Sequence, residues 1–333
     1  MWPVVPFWNS TTAQKTRTTN RREHAVAIAI ETHELQKSYG KLLAVDRIDL
    51  RVEQGAVFGL VGPNGAGKTT MLRMLVDIIR PTSGALTVLG GSPRRSPASL
   101  RRRIGYLPGE LKLSERIRGG QLLRHLAQIS GPVAPGAIEA LADRLGLDLG
   151  RPVRTLSKGN RQKLGLIQAF MHRPALLVLD EPTSGLDPLA QREFLDMVRE
   201  VQGAGQTVVL SSHILSEIQH VANDVAVLAH GRIVARGDVS ALTASAVSRV
   251  RAVLAETTVE RVSATTSELP TFEDLSVAGI AEGNLVSLSA TVRGEADPIM
   301  KVLAGFTVRS ITIEEPDLEE SVLALYARRT ETP

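Results

Sequence analysis

The segment from Gly62 to Thr70 has the residue types and spacing of a phosphate-binding loop. Its glycines allow successive backbone N–H groups to point at phosphate oxygens, and a helix that begins there adds its dipole. Lys68 would reach the β- and γ-phosphates, Thr69 would ligate Mg²⁺ and Thr70 would support the α-phosphate. We predict that the whole loop binds a nucleoside triphosphate, and its residues are Gly62, Pro63, Asn64, Gly65, Ala66, Gly67, Lys68, Thr69 and Thr70.

Two adjacent carboxylates follow the apolar run from Leu176 to Leu179. Such a run predicts a buried strand, and ligands bind at the carboxyl ends of strands of this kind. Asp180 suits coordination of Mg²⁺ through water, and Glu181 suits orientation and deprotonation of an attacking water. An acidic turn at the start of a helix is the alternative when the pattern stands alone. Combined with the loop, these carboxylates predict an ATPase that uses ATP and Mg²⁺.

A third motif lies shortly before Asp180. It reads Leu156-Ser157-Lys158-Gly159-Asn160-Arg161-Gln162 and resembles the signature sequence of ATP-binding cassette (ABC) proteins. Lys158 stands where the family usually has its first glycine, and Asn160 stands where it has a glutamine. The resemblance implies that this segment, Ser157 and Gly159 above all, binds the γ-phosphate held by another protomer. It therefore also implies a homodimer or heterodimer of ATP-binding domains.

Other family landmarks are present, and they occur along the chain in the order that the family has. The resemblance implies that Tyr39 stacks on adenine, and that the segment Ser184-Gly-Leu-Asp187 crosses the dimer interface with Asp187. It also implies that His213, in the sequence Ser-Ser-His, contacts the γ-phosphate and assists Glu181 in catalysis. A lone histidine is more often structural, and the order of the landmarks is what favours the functional interpretation.

One landmark departs from the family pattern. Where the family places a glutamine that touches Mg²⁺, this chain reads Tyr106-Leu-Pro108-Gly109-Glu110. Either Gly109 occupies the position and the metal keeps an extra water, or Glu110 supplies a carboxylate. We favour Glu110 as the hypothesis, because Mg²⁺ prefers oxygen ligands and tolerates a charged one. A solvated acid in a loop is the alternative.

Alternating strands and helices must position these motifs. Apolar runs before Gly62 and Asp180 predict buried parallel strands, and helical spacing over Lys68–Ile79 follows the first of them. We predict an α/β fold with a P-loop NTPase core of the ABC ATPase type over residues 27–239. A helical subdomain is expected over about 93–165, where helical periodicity is interrupted by glycine and proline pairs. Over residues 240–333, strand and helix patterns predict a small C-terminal α+β domain with a final helix over 317–328.

The composition excludes several other classes of protein. Aromatic residues make up only 3% of the chain, which argues against a base-stacking surface. The net charge is +4, and much of the excess lies in residues 1–26, which we interpret as a flexible basic extension. No basic face for nucleic acid is therefore expected. Cysteine is absent, which excludes disulfides, and no apolar run reaches the roughly 18 residues of a spanning helix.

The segment from Ile313 to Tyr326 resembles the end of the C-terminal domain on ATP-binding subunits of ABC-2 type exporters. The resemblance implies an ATP-hydrolysing subunit that powers a separate ABC-2 type permease and exports drugs or other hydrophobic compounds. It also implies a peripheral location at the cytoplasmic face of the membrane. Two alternatives are a soluble ABC-type clamp and a nucleotide sensor without turnover. The single core argues against the clamp, and Glu181 and His213 argue against the sensor.

Overall fold

The computed structural model describes residues 27–314 except 96, 112–115, 215–217, 239–246, 267–271, 281–284 and 294–296. The predicted extension over residues 1–26 and the predicted helix over 317–328 therefore lie outside the described residues. The strands are β1 (Ile28–Tyr39), β2 (Leu42–Glu53), β3 (Val57–Val61), β4 (Ser83–Val88), β5 (Ile104–Leu107), β6 (Leu176–Asp180), β7 (Thr207–Ser212), β8 (Asp224–Ala229), β9 (Arg232–Asp238), β10 (Val247–Ala255), β11 (Phe272–Ile280), β12 (Leu285–Arg293) and β13 (Thr307–Glu314). The α-helices are α1 (Lys68–Leu75), α2 (Pro97–Arg101), α3 (Gly119–Ser130), α4 (Ala137–Leu145), α5 (Lys158–Phe170), α6 (Pro188–Gly203), α7 (Val259–Thr266) and α8 (Asp297–Leu303).

A six-stranded sheet with the order β5-β6-β7-β3-β8-β9 forms the centre of the ATPase core. Its strands pair in parallel except β9, which runs antiparallel to β8. Strands β3 and β6 are buried along their whole length. This burial explains their continuous apolar sequence, because a parallel sheet covered on both faces has no solvent side.

Alternate residues of β3 enter two different hydrophobic cores. Val57 and Val61 pack with residues of helices α3 to α6, whereas Phe58 and Leu60 pack with α1 and the strands β1 and β2. The alternation follows from the two-residue period of a strand. Strands β2, β1 and β4 form a separate antiparallel sheet. The central sheet thus lies between a helical layer and a layer made of α1 and this smaller sheet, which confirms the predicted α/β class.

Two observed elements differ from their predicted extents. Helix α1 ends at Leu75 instead of Ile79, and Asp77 just beyond it adopts a left-handed backbone with φ of 57°, a conformation that no helix can continue through. Strand β5 lies within the range of the predicted helical subdomain but pairs with β6 in the central sheet. Four residues are too few for a strand to be distinguished from a helix by periodicity.

The C-terminal residues form a second, smaller α+β unit. Its antiparallel sheet has the order β11-β12-β10-β13, and α7 and α8 connect strands in a strand–helix–strand–strand–helix–strand sequence. Val250, Ala252 and Leu254 of β10 are buried against both helices. Within the described ranges, no helix is both long enough and apolar enough to cross a lipid bilayer.

Candidate nucleotide-binding site

The loop between β3 and α1 is held tightly by its neighbours. Gly65 and Gly67 adopt φ angles of 82° and 107°, in the left-handed region that favours glycine. A Cβ atom on Gly62 would overlap the Leu228 carbonyl oxygen, and one on Gly67 would overlap the Ala44 carbonyl oxygen. Helix α1 begins immediately after Gly67, so the loop delivers a helix N-terminus as the sequence predicts.

Lys68 lies inside this loop. Its side chain is only 5% exposed, and Nζ donates to the Gly62 carbonyl oxygen at 2.5 Å. The same Nζ lies 3.4 Å from Glu181 Oε1. The structure therefore brings together the predicted phosphate-binding lysine and the predicted catalytic carboxylate, which are far apart in sequence.

Ser211 connects the two acidic residues at the end of β6. Its hydroxyl donates to Asp180 Oδ1 at 2.7 Å and accepts from the Glu181 backbone N–H at 3.0 Å. Asp180 and Ser211 are paired residues of the adjacent strands β6 and β7. The sequence analysis missed Ser211, although its place two residues before His213 at the end of an apolar run could have indicated it.

Glu181 also contacts the predicted switch histidine. His213 Nδ1 lies 2.7 Å from Glu181 Oε2, and the imidazole is half-exposed while the carboxylate is mostly buried. An ionised carboxylate can only accept, so Nδ1–H is the donor. Glu181 has a positive φ of 49°, which is strained for a residue with a side chain and is typical of functional sites.

Asp180 offers an oxygen to a cation. The side chain is fully buried, and Oδ2 has no hydrogen-bond partner among the described residues. Such an oxygen fits a divalent metal, since a buried carboxylate without a partner is costly. No group of three acidic or histidine side chains forms a metal cage in the part of the chain described. Magnesium at phosphate sites needs no cage, because phosphates and water supply most of its ligands.

Gly109, not Glu110, lies beside that oxygen. A Cβ atom on Gly109 would lie 3.1 Å from Asp180 Oδ2, whereas Glu110 is exposed. This placement supports the alternative in which Gly109 occupies the family's glutamine position and the metal keeps a water. Nearby, burial raises the pKa of the Tyr106 hydroxyl, and the charge of Asp180 raises it further. Tyr106 is therefore neutral and could donate a hydrogen bond at physiological pH.

The signature segment caps helix α5 and lies on the loop after Glu181. Ser157 Oγ accepts from the Asn160 N–H at 3.2 Å. Lys158 Nζ donates to Ser184 Oγ at 3.1 Å, and the lysine stem covers Gly185. A Cβ atom on Gly159 would overlap the Gly185 carbonyl oxygen, so glycine is required here even though lysine replaces its neighbour.

Asp187 joins the same arrangement from the start of α6. Its carboxylate accepts from the Ala190 N–H at 2.9 Å and pairs with Lys163 Nζ at 3.0 Å. Both partners lower the pKa of Asp187, and the Ala190 N–H has the larger effect. Gln162 Nε2 donates to the carbonyl oxygens of Glu181 and Pro182, both at 3.0 Å. The sequence analysis includes Gln162 in the signature segment but assigns no contact to it or to Lys163, because their partners are set by the fold.

Tyr39 ends strand β1 with its side chain about half exposed. Lys37 Nζ lies 5.0 Å from the centre of the Tyr39 ring, and the tyrosine itself is 48% exposed. An exposed ring is available for stacking. The adenine-stacking role of Tyr39 stays a prediction.

Comparisons with known proteins agree with this geometry. A family model described as ABC transporter matches residues 45–184. The chain is 34% identical over 307 residues to a daunorubicin/doxorubicin resistance ATP-binding protein of Streptomyces peucetius, and the match covers 89% of this chain and 92% of that protein. The chain belongs to the ATP-binding proteins of ABC transporters. Like other ABC ATP-binding proteins, it binds and hydrolyses ATP, and such subunits dimerise and pair with membrane permeases.

Further matches cover mainly the ABC ATPase core. A bacitracin transport ATP-binding protein of Enterococcus faecalis is 34% identical over 216 residues, which are 64% of this chain and 70% of that protein. A solved ATP-binding subunit of an ABC transporter is 28% identical with a TM-score of 0.60, and the match covers 64% of this chain and 91% of that one.

Proposed function

We propose that this ABC ATP-binding protein is the ATP-hydrolysing subunit of an exporter of drugs or other hydrophobic compounds. The extent of one match carries the proposal. The daunorubicin/doxorubicin resistance protein aligns over 89% of the chain and therefore includes part of the C-terminal domain, whereas the bacitracin transport protein aligns over 64%. The partner would be a separate permease of the ABC-2 type, with this subunit at the cytoplasmic face of the membrane.

The loop from Gly62 to Thr70, which includes Lys68, would hold the phosphates of ATP. Lys68 Nζ is already close to the loop carbonyls and to Glu181, so phosphates bound by the loop would come near the catalytic carboxylate. Asp180 Oδ2 and the Thr69 hydroxyl would hold Mg²⁺, which supplies Lewis-acid polarisation of phosphate oxygens when it is bound.

Glu181 would act as the general base for the attacking water. His213 holds one of its oxygens at 2.7 Å, and Ser211 holds its backbone at 3.0 Å. These two contacts restrict the carboxylate to one orientation, which general-base catalysis requires. His213 would in addition contact the γ-phosphate, as the family resemblance implies.

The other half of each ATP site would come from a second ATP-binding domain. Ser157 and Lys158 are exposed, and they begin a helix of 13 residues whose N-terminus attracts anions. Face-to-face closure of two domains would place this N-terminus against the γ-phosphate of the ATP that the partner domain holds. Hydrolysis would then remove the group that links the two domains, and the dimer would reopen.

Export is tested by expressing the chain with a permease from a neighbouring gene in drug-sensitive bacteria. We expect cells with the wild-type pair to accumulate less daunorubicin than cells with the Lys68→Ala variant. Lys301→Ala, an exposed lysine of α8, is the matched control and should behave as wild type. Two results together would refute the exporter and favour a soluble clamp. Drug accumulation would be equal with wild type and Lys68→Ala, and the permease would neither copurify with the protein nor change its ATPase rate.

A further inference from the structure

Two buried polar atoms near the end of β6 lack a hydrogen-bond partner. They are the Tyr106 hydroxyl and Asp180 Oδ2, and neither finds a partner within the ranges that the structure describes. The Asp180 side chain is fully buried, and the Tyr106 ring is partly buried with its hydroxyl shielded from solvent. Unpaired polar atoms in a protein interior are rare and costly. The two atoms therefore indicate that a further polar group binds between them.

The two side chains lie on the same face of the central sheet. Tyr106 of β5 is paired with Val178 of β6 in parallel register, and Asp180 follows Val178 by one full period of the strand. Tyr106 packs against the core that contains Val178 and the apolar side of α1. Burial raises the pKa of the Tyr106 hydroxyl most, and the charge of Asp180 raises it further, an effect that weakens with distance. The hydroxyl and the carboxylate are therefore neighbours on the α1 side of the sheet.

Close packing fixes the position of Tyr106. The preceding residue, Gly105, points to the opposite face of the strand, where a Cβ atom would overlap the Ala169 carbonyl oxygen of α5. The backbone of β5 therefore lies directly against this helix. Next to it, His172 Nε2 lies 3.3 Å from the Ile104 carbonyl oxygen. Helix α5 thus holds the strand from one side while the tyrosine ring packs on the other.

Gly109 supplies no side chain to this part of the site. It stands in the family's glutamine position, and a Cβ atom there would lie only 3.1 Å from Asp180 Oδ2. A larger side chain at this position would crowd the carboxylate, because carbon and oxygen atoms in contact prefer a wider separation. The Tyr106 hydroxyl, three residues earlier, is the polar group that the same segment brings to Asp180.

We propose that Tyr106 is a positioning residue for the metal, whose hydroxyl and Asp180 Oδ2 together hold one water ligand of Mg²⁺. The inference rests on the ATP and Mg²⁺ site of the proposed function but not on export. A water that gives its oxygen to a cation has two hydrogens to donate, and a carboxylate and a neutral hydroxyl can each accept one. Magnesium at phosphate sites keeps several waters. The hydroxyl thereby compensates for the side chain that Gly109 lacks.

Binding of a non-hydrolysable ATP analogue tests the proposal without turnover. Calorimetry on the full chain gives the affinity in Mg²⁺ and in EDTA, and the ratio of the two measures the contribution of the metal. We expect Tyr106→Phe to reduce this ratio about tenfold, as loss of a group that holds a metal ligand typically does. The affinity in EDTA should not change, because the phosphate-binding loop is intact.

A matched control is available in the C-terminal domain. Thr257→Val also removes a buried hydroxyl that has no hydrogen-bond partner in the described part of the chain, and it should keep the wild-type ratio. A wild-type ratio in Tyr106→Phe would overturn the role of Tyr106. If the wild-type protein itself binds the analogue equally in Mg²⁺ and EDTA, the metal site of the proposed function fails instead.

A double-mutant cycle tests whether Tyr106 acts through Asp180. Ser211 donates to Asp180 Oδ1, so Asp180→Asn turns its amide oxygen to Ser211 and puts an NH₂ donor in the place of Oδ2. The water is then no longer held, and adding Tyr106→Phe should reduce the ratio by less than a further twofold. A further tenfold reduction would show that Tyr106 acts independently of Asp180 and would overturn the proposal.

Arg73 of α1 is the alternative partner of the Tyr106 hydroxyl. It is exposed, and it lowers the pKa of Tyr106 by less than burial and Asp180 raise it. We expect Arg73→Gln to keep the wild-type ratio of affinities in Mg²⁺ and EDTA. A loss as large as that in Tyr106→Phe would assign the hydroxyl to Arg73 and overturn its role in holding a water.

Discussion

At the residue scale, Ser211 makes a different contact with each of two neighbouring acidic residues. It satisfies one oxygen of Asp180 and leaves the other for a cation, and it holds the backbone of Glu181. The side chain is completely buried, so water cannot replace its hydroxyl. The positions of Asp180 and Glu181 therefore depend on a hydroxyl that is shielded from solvent.

Ser211→Ala should reduce the ATPase rate by about tenfold to a hundredfold, as loss of a partner that orients a metal ligand typically does. The affinity for ATP should change little, since the loop and Lys68 are intact. Steady-state hydrolysis and binding of a fluorescent ATP analogue measure the two effects separately. A serine of the C-terminal domain, Ser310, provides the control Ser310→Ala. A rate equal to that of wild type would show that Ser211 does not position the carboxylates.

Gly109 and Glu110 make opposite predictions about the metal. If Gly109 adjoins the metal, Gly109→Ala places a methyl group 3.1 Å from Asp180 Oδ2 and raises the Mg²⁺ concentration needed for half-maximal hydrolysis. Glu110→Ala should then leave this concentration unchanged. Titration of Mg²⁺ at saturating ATP separates the two. The reverse pattern would restore Glu110 as the ligand.

At the scale of elements, the end of helix α5 is joined to strand β5 by a buried histidine. His172 is the second residue after the helix, is 7% exposed, and has Nε2 at 3.3 Å from the Ile104 carbonyl oxygen. Burial lowers the pKa of His172. As the pH falls, the unfolded chain therefore takes up a proton before the folded chain does. The contribution of His172 to stability is complete above the unfolded pKa and is lost as the pH falls toward the folded pKa.

We expect the Tm of the wild-type protein to fall more steeply than that of His172→Gln between about pH 7 and pH 5.5. Glutamine keeps a donor for Ile104 but has no charge to gain in this range. His125→Gln changes an exposed histidine of α3 and should reproduce the wild-type slope. Parallel slopes for wild type and His172→Gln would contradict the prediction.

The sequence predicts the elements that carry motifs better than the elements between them. The strands before Gly62 and Asp180 are predictable because each apolar run leads into a recognisable motif, the phosphate-binding loop in one case and the pair of carboxylates in the other. Strand β5 was missed because four residues carry too little periodicity. Contacts such as Gln162 with the carbonyl oxygens of Glu181 and Pro182 depend on how α5 packs, and no local pattern encodes that.

At the scale of the whole molecule, the proposed dimer would divide the site into two parts that serve different nucleotides. Lys68 and Glu181 belong to one part, and Ser157 with its neighbours belongs to the other. Gln162 and Lys163 join α5 to the loop from Glu181 to Asp187. A shift of the signature segment on the partner's ATP should therefore be transmitted to the base that acts on the chain's own ATP.

Mixing two inactive variants tests whether the parts combine across a homodimer. Lys68→Ala removes the phosphate-binding lysine, and Ser157→Asp keeps a helix cap but brings a negative charge to the partner's γ-phosphate. Each variant alone should be inactive. In a mixture, the heterodimer has one site with both changes and one site with neither, so part of the ATPase activity should return. A mixture as inactive as its components would indicate that the partner is a paralogue or that the signature does not act across the dimer.

The way in which the loop meets helix α1 has a consequence for hydrogen exchange. The first bond within this helix runs from the Met71 N–H to the Gly67 carbonyl oxygen at 2.9 Å, and the amides of Lys68, Thr69 and Thr70 have no carbonyl partner inside the helix. By contrast, the Gly231 N–H donates to the Ala66 carbonyl oxygen at 3.0 Å and the Asp46 N–H donates to the Gly231 carbonyl oxygen at 2.8 Å. ATP should therefore slow deuterium uptake at residues 68–70, whereas uptake at 46 and 231, whose amides are already hydrogen-bonded, should stay the same.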